Sequence, residues 1–193
     1  MFDKKDCLYA VLCFFKGRGL VVSKLLLQKS MYALDFVKVP MGLEFEAYTY
    51  GPFCREISAI LDRMEIDGIV RVEGKNIELG ADDSISHPEI SEEERTYIGN
   101  ILEQFVEIIP DGDTSSFDMV ELFGTVMYVM DVLDLEESEN GESTACATTP
   151  PPPFEKALEE VRRWKQDKFR EDQIDEAYRR IADTLWKARL QAA

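Results

Sequence analysis

The sequence predicts a mainly α protein with a small antiparallel β wing: a winged helix-turn-helix followed by additional helices. Three observations predict it. Apolar spacing over the first eighty residues gives the order helix, helix, short strand, helix, hairpin, and four further segments after residue 90 repeat at helical periods. The 193-residue chain is also 45% hydrophobic, enough to bury a core without a disulfide or metal staple. A plain three-helix bundle would leave the hairpin after Gly68 without an explanation.

Residues 4–16 place Cys7, Tyr9 or Ala10, Val11 and Phe14 on one helical face, closed by Gly17-Arg18-Gly19. Ser23 is a good N-cap for a second helix from Lys24 to about Val37, where Leu26, Leu27, Met31, Leu34 and Val37 recur at three and four. Residues 45–50 alternate and predict a short strand with Tyr48 and Tyr50 on one side. Gly51-Pro52 breaks that strand, and proline at a first helical position suits the start of a third helix, about Phe53 to Asp67. Ile57, Ile60, Leu61 and Met64 form its stripe, and Gly68 caps it. Ile69 to Val72 and Ile77 to Leu79 then read as two short strands around Gly74-Lys75-Asn76.

Residues 81–90 read as a polar loop. Ser91-Glu92-Glu93-Glu94 begins as a capping box a helix that runs to about Ile109. A helix near Ser116 to Leu135 is apolar around most of its girth, which predicts a central or docked position. Residues 136–153 read as an acidic linker ending in four prolines, a spacer in the first reading and a proline-rich ligand motif in the alternative. Two amphipathic helices follow, Phe154 to about Phe169 and Asp172 to about Leu190. The expected organisation is therefore a winged-helix-like domain over 1–80, a helical extension packed on it over 81–135, the linker over 136–153, and a C-terminal helical hairpin over 154–193.

The net charge of −16 is unevenly distributed. Residues 81–143 hold one basic side chain, Arg95, against eighteen acidic ones, whereas the rest of the chain is close to balanced. Such a field repels phosphates and membrane surfaces and attracts basic partners. No apolar run reaches the length of a membrane span, and the short stretch Cys7–Phe15 reads as amphipathic helix rather than leader. The four cysteines, Cys7, Cys13, Cys54 and Cys146, form no C-x-x-C pair, and reduced thiols point to a cytoplasmic protein. With one histidine, His87, no nucleotide-binding glycine motif and no metal-ligand spacing, the sequence predicts neither an enzyme nor a cofactor or metal site.

Candidate contact residues come from the expected recognition surface. They are Lys24 and Lys29 on the second helix, Tyr48 and Tyr50 beside the Gly-Pro turn, Arg55 and Arg63 on the third helix, and Arg71 and Lys75 on the wing. Arginine can read guanine edges and lysine can bind phosphate, but Glu56, Asp62, Glu65, Asp67, Glu73 and Glu78 are interleaved with them. Lys4, Lys5, Lys16, Arg18, Lys24 and Lys29 form the one basic concentration.

The run Ser23-Lys24-Leu25-Leu26-Leu27-Gln28-Lys29-Ser30-Met31-Tyr32, followed by Phe45-Glu46-Ala47-Tyr48-Thr49-Tyr50-Gly51-Pro52-Phe53, resembles the bacterial and archaeal YwgA-type winged-helix proteins. It is similar, more distantly, to the Panacea domain of phage-associated antitoxins, with Ala47-Tyr48 where that domain often has tryptophan-lysine. The resemblance implies a winged helix used in regulation or protein contacts, with no catalytic residues. The expected function is a non-enzymatic regulator or adaptor acting through a protein partner, with nucleic-acid contact left open. The alternative is an antitoxin or proteolytic adaptor that neutralises a basic partner.

Overall fold

A computed structural model describes residues 2–80, 86–139 and 150–192. The chain is mainly helical with small antiparallel sheets. α1 (Lys4–Gly17) is capped by Asp3, whose carboxylate accepts from the backbone N–H groups of Lys5 and Asp6. β1 (Val22–Ser23) leads into α2 (Lys24–Phe36), and the Ser23 side chain accepts from Leu26 N–H, as its position predicts.

The Gly-Pro turn departs from expectation. Rather than opening a helix, it forms a hairpin, with β2 (Glu46–Tyr48) antiparallel to β3 (Gly51–Phe53) and Tyr48 opposite Gly51. Gly51 takes φ +91°, which closes the tight turn at Thr49-Tyr50. Pro52 lacks an N–H, which a two-stranded ribbon tolerates because each strand has a free edge. α3 (Arg55–Ile66) therefore starts two residues later than predicted, with Cys54 as an N-cap that makes no side-chain bond.

β4 (Val70–Glu73) and β5 (Asn76–Leu79) form the expected hairpin. A strand that the sequence did not reveal joins them: β1 pairs with β5, Val22 opposite Ile77 and Ser23 opposite Asn76, giving the order β1-β5-β4. Two residues are too few to carry an alternation pattern.

α4 (Glu92–Ile108) begins with the full reciprocal capping box of Ser91 and Glu94. After a 3-10 turn at Pro110–Gly112, α5 (Phe117–Glu139) runs through the middle of the molecule, buried from Val120 to Met127 on every face. It packs against α2, β3, α6 (Phe154–Lys165) and α7 (Glu171–Asp183). α5 extends four residues into the expected linker; residues 140–149 of that linker, with Cys146, lie outside the described residues, as do residues 81–85 of the expected loop. Pro152 is buried, and Tyr178 donates its hydroxyl to the Pro152 carbonyl, so this end of the proline run docks on the chain's own α7.

The last predicted helix is broken. Thr184 leaves helical geometry (φ −120°, ψ −85°) while its hydroxyl donates to the Arg180 carbonyl, and α8 (Leu185–Ala192) follows. α8 returns Trp186 and Arg189 to the core, which is one continuous cluster from α1 to α8. Arg189 is 5% exposed and reaches Asp131 (2.5 Å) and Asp134 (2.6 Å) on α5 and the Phe36 carbonyl on α2. Burial and the neighbouring Asp131 charge push the Asp35 carboxyl up to about 6 in the same region. The C-terminal helices are thus keyed into the centre by ionic contacts as well as by apolar packing.

No helix among the described residues is long and apolar enough to cross a membrane. Removing the cation of a buried cluster strands its carboxylates, so Arg189→Ala should lower unfolding free energy by about 3–5 kcal/mol in urea titrations. Arg162→Ala, which breaks an exposed pair with Glu171, should change it by less than about 0.5 kcal/mol. Equal effects would contradict this assignment of α8.

Candidate functional site

Two neighbouring residues of α2 hold the Gly-Pro hairpin. Gln28 is buried, and its amide makes a closed pair with the backbone of Cys54: Nε2 donates to the Cys54 carbonyl and Oε1 accepts the Cys54 N–H, both at 3.0 Å. Gln28 thereby satisfies an N–H at the α3 start that Cys54's own side chain does not. Lys29, only 2% exposed, donates its amine to the Pro52 carbonyl at 2.6 Å. A third grip comes from α6, where Lys165 Nζ donates to the Thr49 carbonyl at 2.6 Å.

Lys165 meets Lys168 at one carboxylate. Glu121 of α5, 1% exposed, accepts from Lys165 at 3.0 Å and from Lys168 at 2.8 Å, and Lys168 also reaches Asp118 at 3.0 Å. Burial pushes the Lys29 ammonium down to about 7, with the nearby Lys165 acting in the same direction and Glu121 opposing both. Lys165 is likewise lowered by burial against the pull of Glu121.

Glycine makes the close approach feasible. A Cβ on Gly124 would sit 2.6 Å from Lys29 Cδ, and one on Gly51 would press on Thr125 Oγ1 and Lys29 at 3.1 to 3.3 Å.

Held this way, the hairpin walls one side of an open cavity of about 610 Å³. Leu25, Leu27, Phe53, Ile57, Leu61 and Val120 supply apolar lining, from α2, β3, α3 and α5. Its rim carries four exposed large apolar side chains: Val21, Tyr48, Tyr50 and Phe117. Tyr50 meets Phe117 edge-on at 5.0 Å, and Tyr48 packs on Phe53 at 5.2 Å.

Five of the eight candidate contact residues line this cavity: Lys24, Lys29, Tyr48, Tyr50 and Lys75. Lys29 does so from a buried position and is no surface cation, which corrects its expected role. Arg55, Arg63 and Arg71 lie elsewhere on the surface and are exposed as expected, but each is paired with an acid of its own domain. Arg55 meets Glu46 at 2.8 Å, Arg63 lies 3.9 Å from Asp67, and Arg71 bonds Glu73. The basic concentration on the first two helices is neutralised in part: Lys4 pairs with Glu56, Lys5 shares Asp67 with Arg63, and Arg18 pairs with Glu103, whereas Lys16 and Lys24 are exposed with no ion-pair partner among the described residues.

His87 stacks on Tyr9 at 5.5 Å, Cys7 and Cys54 are buried and Cys13 is half-buried. Burial raises the Cys7 thiol to about 12, which makes it a poor nucleophile at neutral pH. Among the described residues no three His, Cys, Asp or Glu side chains are grouped to hold a metal ion.

Sequence reasoning missed Gln28, Glu121 and Lys165. The signal for Gln28 and Lys29 was present: polar side chains inside a helix that is apolar on both flanks require partners. No family model matches the chain, and no curated protein matches it.

The lowered Lys29 pKa has a definite sign for stability. Between about pH 7 and the ordinary value of 10.5, the unfolded chain holds a proton that the folded chain has released, so this group adds stability as pH rises. Below about pH 7 both states are protonated and the folded state carries the full penalty of a buried charge. The stability of Lys29→Met relative to the parent should therefore fall as pH rises from 7 to 10, by up to about 1.4 kcal/mol per unit. Urea titrations at three pH values check this, and a difference independent of pH would refute it.

Proposed function

We propose that residues 1–80 form a winged helix adapted to protein contacts, and that the chain is a non-enzymatic adaptor or regulator whose partner docks over the hairpin cavity. Three helices in the order α1, α2, α3 with a β1-β5-β4 sheet support the winged-helix assignment. The β2–β3 ribbon between α2 and α3 is the elaboration that supports a use in protein contacts.

The observation that carries this reading is the contrast between charge and apolar exposure. A helix that reads DNA needs free cations, because affinity comes from neutralising phosphates. Here Arg55, Arg63 and Arg71 are already neutralised by their own neighbours. Meanwhile Val21, Tyr48, Tyr50 and Phe117 border a single apolar depression. Exposed aromatic side chains around a desolvated pocket are what protein interfaces use as anchors.

A second reading, an antitoxin or proteolytic adaptor that masks a basic partner, rests on another face. There Phe2 stacks on Tyr97 at 6.1 Å beside Glu92, Glu93 and Glu94. Burial, together with the charges of Asp3, Glu94 and Glu89, raises the Asp6 carboxyl nearby. An added cation would relieve that crowding.

A photo-crosslinking amino acid at Tyr50 should capture a protein in the source cells, whereas one at Ile66, more exposed than Tyr50 but outside the cavity, should not. Purified protein should leave duplex DNA unshifted at about 50 mM salt, where phosphate contacts are strong. A low-salt DNA complex weakened by Arg55→Ala or Arg63→Ala would overturn the proposal in favour of nucleic acid.

A further inference from the structure

Lys24 and Lys75 differ from every other candidate cation of the first domain. Arg55, Arg63 and Arg71 have acidic partners and Lys29 is buried, whereas Lys24 and Lys75 are exposed and have no ion-pair partner among the described residues. They are also neighbours. Pairing of β1 with β5 sets Ser23 opposite Asn76, and the Lys24 N–H donates to the Lys75 carbonyl at 2.8 Å. Both line the hairpin cavity.

The field there is reinforced by the backbone. Lys24 is the first residue of α2, whose first turn contains no acidic side chain to offset the positive end of the helix. Asp62, on α3, is the sole acidic residue lining the cavity among the described residues. In a chain of net charge −16, this mouth is locally cationic. Charges beyond about 8 Å are largely screened at physiological salt, so an occupant responds to the two lysines rather than to the distant acidic stretch.

We infer that the cavity receives a short peptide segment of a partner in which a large apolar side chain lies beside a carboxylate, the apolar group entering between Tyr50 and the α2–α3 wall and the carboxylate meeting Lys24 and Lys75. This rests on the docking reading above and adds the chemistry of the partner. The apolar lining takes the anchor, since a cavity of about 610 Å³ is ample for one or two large side chains. The two lysines select among anchors by charge, because electrostatic complementarity fixes register and excludes wrong partners more than it adds affinity. A basic segment would meet two uncompensated cations at the mouth, so a basic partner must use the Phe2–Tyr97 face instead.

The probe is a display library of random dodecapeptides selected on the purified full chain. Every selected peptide is re-measured by fluorescence polarisation on two variants altered only at exposed positions: Tyr48→Ser/Tyr50→Ser, and Lys24→Glu/Lys75→Glu. Peptides whose binding falls in the tyrosine variant should be enriched in an aromatic or aliphatic residue with Asp, Glu or the terminal carboxylate close by. The double charge reversal should weaken them about 10-fold or more, and selection on that variant should return Lys or Arg in place of the acids. Tyrosine-dependent peptides without acidic enrichment would sink the carboxylate assignment and leave the docking reading standing. A selection yielding no tyrosine-dependent peptide would sink both.

Discussion

A single buried carboxylate organises the hairpin end of this molecule. Glu121, in the stretch of α5 that is buried on every face, draws in Lys165 and Lys168, and Lys165 continues to the Thr49 carbonyl. Lys29 approaches from α2 and takes the Pro52 carbonyl. Ion pairs of this kind are expensive to desolvate and are weak evidence for stability. What the cluster achieves is position: backbone carbonyls on both sides of a two-residue turn are held by side chains from helices distant in sequence. An isolated two-stranded ribbon is marginal in water, so these contacts and the Gln28–Cys54 pair give the β2–β3 hairpin its place.

The cavity depends on that place. Tyr48 and Tyr50 are exposed because β2 and the turn form the outer side of a ribbon whose β3 strand is buried against α2 and α5, and Gly51 and Gly124 have no side chain where the Lys29 stem passes close to both. The same economy of charge runs over the surface. Acids on β2, at the end of α3 and on the β4–β5 hairpin satisfy the arginines locally, which leaves Lys24 and Lys75 distinct at the cavity mouth.

Much of this was legible in the sequence. Ser23, the Ser91–Glu94 box and the apolar girth of residues 120–133 are local patterns, and local patterns fix helices. The β4–β5 hairpin was legible because Gly74 separates two alternating runs. Gly51-Pro52 misled because proline after glycine is equally suited to a helix start and to an edge strand; what decides is the partner strand, Glu46–Tyr48, together with Gln28 and Lys29. The resemblance rests on the runs Ser23–Tyr32 and Phe45–Phe53, and the structure joins them by the hydrogen bond from Lys29 to the Pro52 carbonyl. Lys29, Glu121 and Lys165 could not be connected by any spacing argument, since three-dimensional proximity alone relates them. Thr184 was illegible too, because threonine inside an amphipathic pattern breaks a helix only in the right context.

Hydrogen exchange on a Glu121→Gln variant addresses the organising role of this carboxylate most directly. With its charge gone, Lys165 loses its partner and the grip on Thr49 loosens, so amides of residues 46–54 should exchange faster than in the parent, while those of α1 and α4 keep their protection. Exchange that rises uniformly across the chain, or that leaves residues 46–54 unchanged, would contradict the account.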